Sequence, residues 1–193
     1  EIIKELIENN EIESFSWTRC YSPWEIKRDT EIKVLLKENN INVKTFNGSL
    51  LWEPWEILKD DNTPYKVFSP FYRKGCLVKH NGPRGIVSLE NVTFCKKLNS
   101  SADIDSLNLL PNHEWKDKFE NYWNIGEKAA MTKYIHFRDN GLTGYKEGRN
   151  FPIKDNVSIL SPHLHFGEIS PHQIWYDNKD LCPEKDVAHF HSE

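Results

Sequence analysis

Two short β-favouring runs on either side of one helical run constrain this chain more than any other feature. Ser14-Phe15-Ser16-Trp17-Thr18-Arg19-Cys20 is aromatic and β-favouring, and Pro23 bounds it. Val43-Lys44-Thr45-Phe46 is closed by Asn47-Gly48, a strong turn pair. Between them, Glu25 to Asn39 keeps helical period through Ile26, Ile32, Leu35 and Leu36, and Asn39-Asn40 ends it. A shorter amphipathic helix precedes them over residues 1–9, carried by Ile2, Ile3, Leu6 and Ile7. Helix, strand, helix and strand in steps this short predict parallel strands joined by a crossover helix. The first part therefore reads as the tail of an α/β domain whose earlier strands lie elsewhere.

Beyond the second strand the grammar changes. Trp52 and Trp55 read as packing residues around Pro54, and Pro64 to Phe68 reads as extended. Ser69-Pro70 predicts a cap for a helix beginning at Phe71. Residues 77–115 show no sustained period, and Gly82, Pro83, Gly85 and Pro111 mark them as a connector. From Pro64 to Ser100, Lys66, Arg73, Lys74, Lys79, Arg84, Lys96 and Lys97 stand against Glu90 alone. Such a run can approach nucleic-acid phosphates or serve as a solvated linker. Helical period returns from Trp115 to Asp139, with a break at Gly126 and a stop at Asn140-Gly141.

The densest chemistry lies between Gly144 and Ser170. Pro152 breaks any helix running through, and Asp155-Asn156 tolerates left-handed backbone. Ser161-Pro162 and Ser170-Pro171 each read as an N-cap followed by Pro at the first helical position. Helix starts beside a serine-lined loop suit an anion, because free N–H groups point at it. A helix from Pro171 to Tyr176 and another from Pro183 onward follow.

Composition narrows the classes. A net charge of −4 argues against the chain as a whole being a basic nucleic-acid binder. Its seven Trp suit stacking surfaces. No apolar run is long enough to span a bilayer. Cys20, Cys76, Cys95 and Cys182 lie far apart without a C-x-x-C pair, so reduced thiols in a cytosolic protein are expected rather than disulfides or zinc. His163 and His165, like His189, His191 and Glu193, are two apart, which does not place them on one helix face, so no metal is expected.

The wording of two blocks is more specific than their grammar. Tyr145-x-x-x-Arg149-x-x-Pro152, followed by Ser158-x-Leu160-Ser161-Pro162-x-Leu164-x-Phe166-Gly167-x-x-Ser170, resembles the flavin-binding segment of the DNA photolyase/cryptochrome family. Arg28-Asp29, Phe46-Asn47-Gly48 and the run from Tyr65 to Phe71 are similar to the N-terminal half of the same family, in the same order. The resemblance covers nearly the whole chain and is strongest to bacterial class I cyclobutane pyrimidine dimer photolyases. It implies an α/β fold followed by an all-α one. Residues 1–76 would end a Rossmann-like antenna domain, 77–115 would be the connector, and 116–193 would begin the helical FAD-binding domain. Glu1 and Glu193 fit an internal fragment of a longer protein.

The resemblance also assigns roles. Tyr145, Val157, Ser158, Ile159, Leu160 and Ser161 are expected to contact FAD. Many family members carry Thr where Val157 stands and Arg where Ile159 stands, which leaves more of the anion binding here to backbone N–H groups. Arg149 is expected against the DNA backbone, and Glu193 facing the flipped dimer as a catalytic and DNA-binding residue. Glu25 lies near a family position for an antenna chromophore of folate or deazaflavin type, whose presence stays open. The implied reaction is light-driven electron transfer from reduced FAD to a pyrimidine dimer in DNA, which splits the cyclobutane ring and returns the electron. A cytoplasmic bacterial monomer is expected. A cryptochrome photoreceptor and a pyrimidine-(6-4) photolyase are the alternatives with the same fold and flavin.

Overall fold

The computed structural model describes residues 2–80, 82–88, 91–94, 103–110, 113–119, 122–181 and 183–193. In chain order the named elements are α1 (Ile2–Asn9), β1 (Ser14–Thr18), α2 (Pro23–Glu38), β2 (Asn42–Phe46), α3 (Phe68–Pro70), α4 (Lys116–Phe119), α5 (Glu127–His136), α6 (Tyr145–Gly148), α7 (Ser161–His165), α8 (Pro171–Asn178) and α9 (Glu184–His191). Helix α3 runs on as π-helical turns over Phe71–Lys79, and α5 does so over Phe137–Gly141. A 3-10 turn spans Ile104–Leu107. Cys95, Cys182, Lys96, Lys97, Glu90 and Pro111 lie outside the described residues, whereas Cys20 and Cys76 are free thiols.

One unit comprises Glu1–Asn47 and Ser88–Tyr122. Strands β1 and β2 pair in parallel, from Ser14 opposite Asn42 to Thr18 opposite Phe46. Side chains alternate across the pair, so Phe15, Trp17, Val43 and Thr45 are half-buried while their neighbours face out. Helix α2 makes the crossover and buries Leu36 completely. It starts at Pro23, before the predicted Glu25, because Pro at the first helical position gives up only an N–H that has no partner there. The backbone N–H of Ser22 donates to the Glu25 carboxylate at 3.3 Å. Asp29 is buried on α2, which by itself would push its carboxyl up. The Trp17 indole N–H at 2.8 Å and the Arg28 guanidinium at 2.8 Å outweigh burial and hold it below the usual carboxylate range.

The second unit comprises Gly48–Val87 and Trp123–Glu193. Its core is helical. Ala130, Tyr134, Leu160, Ile169 and Ile174 form one buried cluster, and Phe137, Leu142, Tyr145 and Val187 a second, with Phe190 packed against both. Each fully buried large apolar side chain contributes about 1.5–3 kcal/mol. The unit boundary differs from the sequence expectation of divisions at 76–77 and 115–116. Residues 48–87 group with the helices because Trp52 packs edge-on to Trp175 at 5.5 Å and the Tyr176 hydroxyl donates to the Pro83 carbonyl. Helix α4 groups with the first unit.

Two caps also differ from expectation. The helix after Val67 begins at Phe68, so Ser69 lies inside it rather than before it. In α7 the capping position falls on Leu160 and Ser161 is the first helical residue. The Ser170 hydroxyl does cap α8, accepting the N–H of His172 at 3.3 Å.

Candidate functional site

Three devices shape the segment between α6 and α7. The first is Asn156. Its Nδ2 donates to the carbonyls of Gly141 at 2.7 Å and Thr143 at 3.1 Å. It fits only because Gly148 has no side chain, since a Cβ there would fall inside the Asn156 amide and 2.7 Å from its Cβ. The second is Asp186 of α9, buried, which accepts the N–H groups of Gly144 at 2.9 Å and Lys146 at 3.1 Å and so holds the start of α6. Burial pushes that carboxyl up, but the two backbone donors win and hold it below its ordinary range. The third is His163, fully buried in α7, whose Nδ1 meets the Glu168 carboxylate at 2.5 Å while its ring stacks on Trp123.

Between these anchors exposure alternates along the chain. Ser158 and Leu160 turn inward, whereas Val157 and Ile159 are exposed. Ile159 has φ +50°, a left-handed conformation that a β-branched residue avoids at a cost of about 1–2 kcal/mol. Leu160 follows in the right-handed region at φ −92° and ψ −7°. A left-handed residue followed by a right-handed one turns successive N–H groups toward one side, the backbone arrangement that cradles anions. Among the described residues no acceptor serves the N–H groups of Val157, Ser158, Ile159 or Leu160. The kink also brings Ser161 to the same side as Ser158.

That side is a cleft of about 590 Å³ within the second unit. Its hydroxyl-bearing residues are Ser49, Tyr72, Tyr145, Ser158, Ser161 and Ser192, and its apolar walls include Leu51, Trp52, Phe68, Phe71, Leu160, Leu164, Ile174, Trp175 and Phe190. Among the described residues its lining contains no Lys or Arg. Burial raises the Tyr145 phenol above its usual value, so it stays a neutral donor. Glu193 lines the cleft and is ion-paired to Arg149 at 2.5 Å. Arg149 in turn lies over the Tyr145 ring, 5.5 Å from its centroid. His191 also lines the cleft, stacked on the buried Trp175 at 3.9 Å, and burial pulls its imidazole down to about 4.

The structure thus brings Tyr145, Ser158, Leu160, Ser161, Arg149 and Glu193 together. Val157 and Ile159 are exposed and do not line the cleft. Glu25 belongs to the first unit, where it serves the start of α2. Trp52, Trp175 and His191 are site residues that sequence reasoning misses. Trp52 reads from sequence as packing, and His191 as a polar or helix-face histidine. Among the described residues no group of three His, Cys, Asp or Glu is placed to hold a metal.

Hydroxyls, an unserved set of backbone donors and aromatic walls in one cleft fit a dinucleotide with a planar ring and a pyrophosphate. The family model described as DNA photolyase matches residues 1–85. A deoxyribodipyrimidine photo-lyase of Agrobacterium fabrum is 34% identical over all of this chain and 41% of its own length. The crystal structure of a bacterial class III photolyase from Agrobacterium tumefaciens superposes with a TM-score of 0.88 at 33% identity, covering 99% of this chain and 40% of that one. That class differs from class I, to which the motif wording pointed. A cryptochrome from Synechocystis shares the fold, with a TM-score of 0.73 at 18% identity over 98% of this chain and 41% of that one. The chain spans about two fifths of the length of the relatives described here.

Proposed function

This chain belongs to the DNA photolyase family, and we propose that the whole protein is a deoxyribodipyrimidine photo-lyase that repairs pyrimidine dimers in DNA with light and FAD. The observation that carries the flavin is a cleft with aromatic walls lined by Ser158, Leu160 and Ser161, on a stretch whose N–H groups at residues 157–160 have no acceptor among the described residues. Ser158 and Ser161 would add hydroxyl donors to the pyrophosphate, and Tyr145 a neutral phenol. Leu160, Phe190 and Trp175 would exclude water from the ring system. The chemistry that reduced FAD would supply when bound is a light-driven electron to split the cyclobutane ring. The protein's part is distance, orientation and a dry pocket. Residues 1–47 would belong to the α/β domain of the whole protein and 123–193 to its helical domain.

Arg149 and Glu193 stand at the cleft as each other's partners. In this reading Arg149 exchanges Glu193 for a DNA phosphate, which a guanidinium holds with paired, charge-assisted bonds. That exchange releases Glu193 to face the flipped dimer. Glu25 commits its carboxylate to its own helix start, so no antenna contact is proposed for it. A cytoplasmic monomer completes the reading; the free thiols Cys20 and Cys76 bear only on the compartment, where they fit a reducing one. Among the described residues no helix is long and apolar enough to cross a membrane.

The test is repair of dimer-containing DNA by the purified, flavin-loaded whole protein. Dimers should disappear under blue or near-ultraviolet light and persist in the dark. Flavin-loaded protein that leaves the dimers intact under light would move the reading to a cryptochrome-type photoreceptor.

A further inference from the structure

The aromatic end of the cleft holds a polar device that the flavin loop does not explain. His191 sits on Trp175 with ring centroids 3.9 Å apart and planes 15° from parallel. Trp175 is itself fixed by Trp52 at 5.5 Å and is 6% exposed. On its other edge the imidazole Nε2 meets the Oδ1 of Asn178, a side chain with no exposure at all. Plane and rotation of the ring are therefore both set.

We propose that His191 is a cofactor-binding residue of the cleft, whose Nδ1 accepts a hydrogen bond from an N–H or O–H group of the flavin dinucleotide. The inference rests on the flavin reading and deepens it. An amide oxygen only accepts, so Nε2 must carry the proton that it shares with Asn178. Burial keeps the ring neutral at physiological pH, so the remaining nitrogen carries a lone pair. Among the described residues that nitrogen has no partner, and the residue lines the cleft. A fixed lone pair in an apolar wall selects a donor edge, because a ligand that presents an acceptor there would leave both groups unpaired. FAD offers such donors on its isoalloxazine ring, its ribityl chain and its adenine.

The experiment measures FAD affinity in the whole protein for wild type, His191→Phe, Asn178→Leu and the double variant. Phe keeps a flat ring on Trp175 but removes the lone pair. Asn178→Leu removes the amide oxygen and frees the imidazole to move its proton to the other nitrogen. Each single variant should weaken FAD roughly three- to tenfold, the range of one neutral hydrogen bond. The double variant should lose no more than the worse single one, because both act through one contact. His191→Gln against His191→Leu repeats the comparison at similar volume, with and without an acceptor, and only Gln should recover affinity. FMN, which lacks the adenine half, locates the contact. Loss for both FMN and FAD places it on the flavin half, and loss for FAD alone on the adenine half. Wild-type affinity in His191→Phe, or equal affinity of the Gln and Leu variants, would overturn the proposal while leaving the flavin reading intact. A wild type that binds no flavin would overturn both.

Discussion

Gly148→Ala is expected to destabilise the helical unit by about 2–3 kcal/mol, although alanine is the better helix former. Propensity favours the change by at most about 1 kcal/mol. Against it stands the Asn156 side chain, which occupies the space the new methyl would need. The neighbour cannot simply swing aside, because its amide bonds the carbonyls of Gly141 and Thr143. Either the overlap persists, at about 1–3 kcal/mol, or those bonds break at about 0.5–1.5 kcal/mol each. Both routes move the segment that carries Ser158 and Ser161, so FAD retention should fall along with stability. The measurement is urea unfolding of Gly148→Ala, Asn156→Gly and the double variant, since only glycine at 156 also removes the Cβ that would lie 2.7 Å from the new methyl. The two changes share one mechanism, so the double variant should be no less stable than Asn156→Gly alone. Additive losses would show that the contact is not what makes glycine necessary.

A loss of similar size, about 2–4 kcal/mol, is expected for Asp186→Ala at neutral pH, from two charge-assisted bonds to backbone donors. The carboxylate joins α9 to the start of α6, so its removal loosens Tyr145 from the helix that carries Phe190 and His191 and leads to Glu193. The pH dependence has a definite sign. The folded pKa lies below the unfolded value of about 3.9, so the contribution is fully present above that value. It fades as pH falls through the folded pKa. Wild type and Asp186→Ala should therefore differ most at neutral pH and converge in acid. Asp186→Asn retains an acceptor oxygen and should recover part of the stability without that acid loss. Parallel stability curves for wild type and Asp186→Ala down to strongly acid pH would contradict the assignment.

How much of this is legible in the sequence depends on how local each signal is. The parallel pair can be read because Phe15, Trp17, Val43 and Thr45 alternate and one helical run joins their strands. The sequence reading starts α2 too late because Pro23 looks like the end of a strand, when proline is equally at home in a first helical turn. Ser161 reads as a cap for the same kind of local reason. The left-handed turn at Ile159 moves the cap one residue earlier and turns Ser161 to the cleft. Nothing in a β-branched residue announces that turn, which tertiary packing imposes. Tyr145, Ser158, Leu160 and Glu193 are legible through their family wording rather than through spacing. Trp52, Trp175 and His191 are not, because their meeting joins segments far apart in sequence. The grouping of residues 48–87 with the helices is hidden for that reason too.

The most direct test of the central claim is the FAD-to-protein ratio after gel filtration of the whole protein and of its Ser161→Trp variant. Ser161 is exposed and lines the cleft, so an indole there blocks the flavin's place without opening the core. Near-stoichiometric FAD in the wild type and little or none in the variant, with circular dichroism unchanged, is the result predicted. Equal FAD in both proteins would put the cofactor elsewhere and contradict the account.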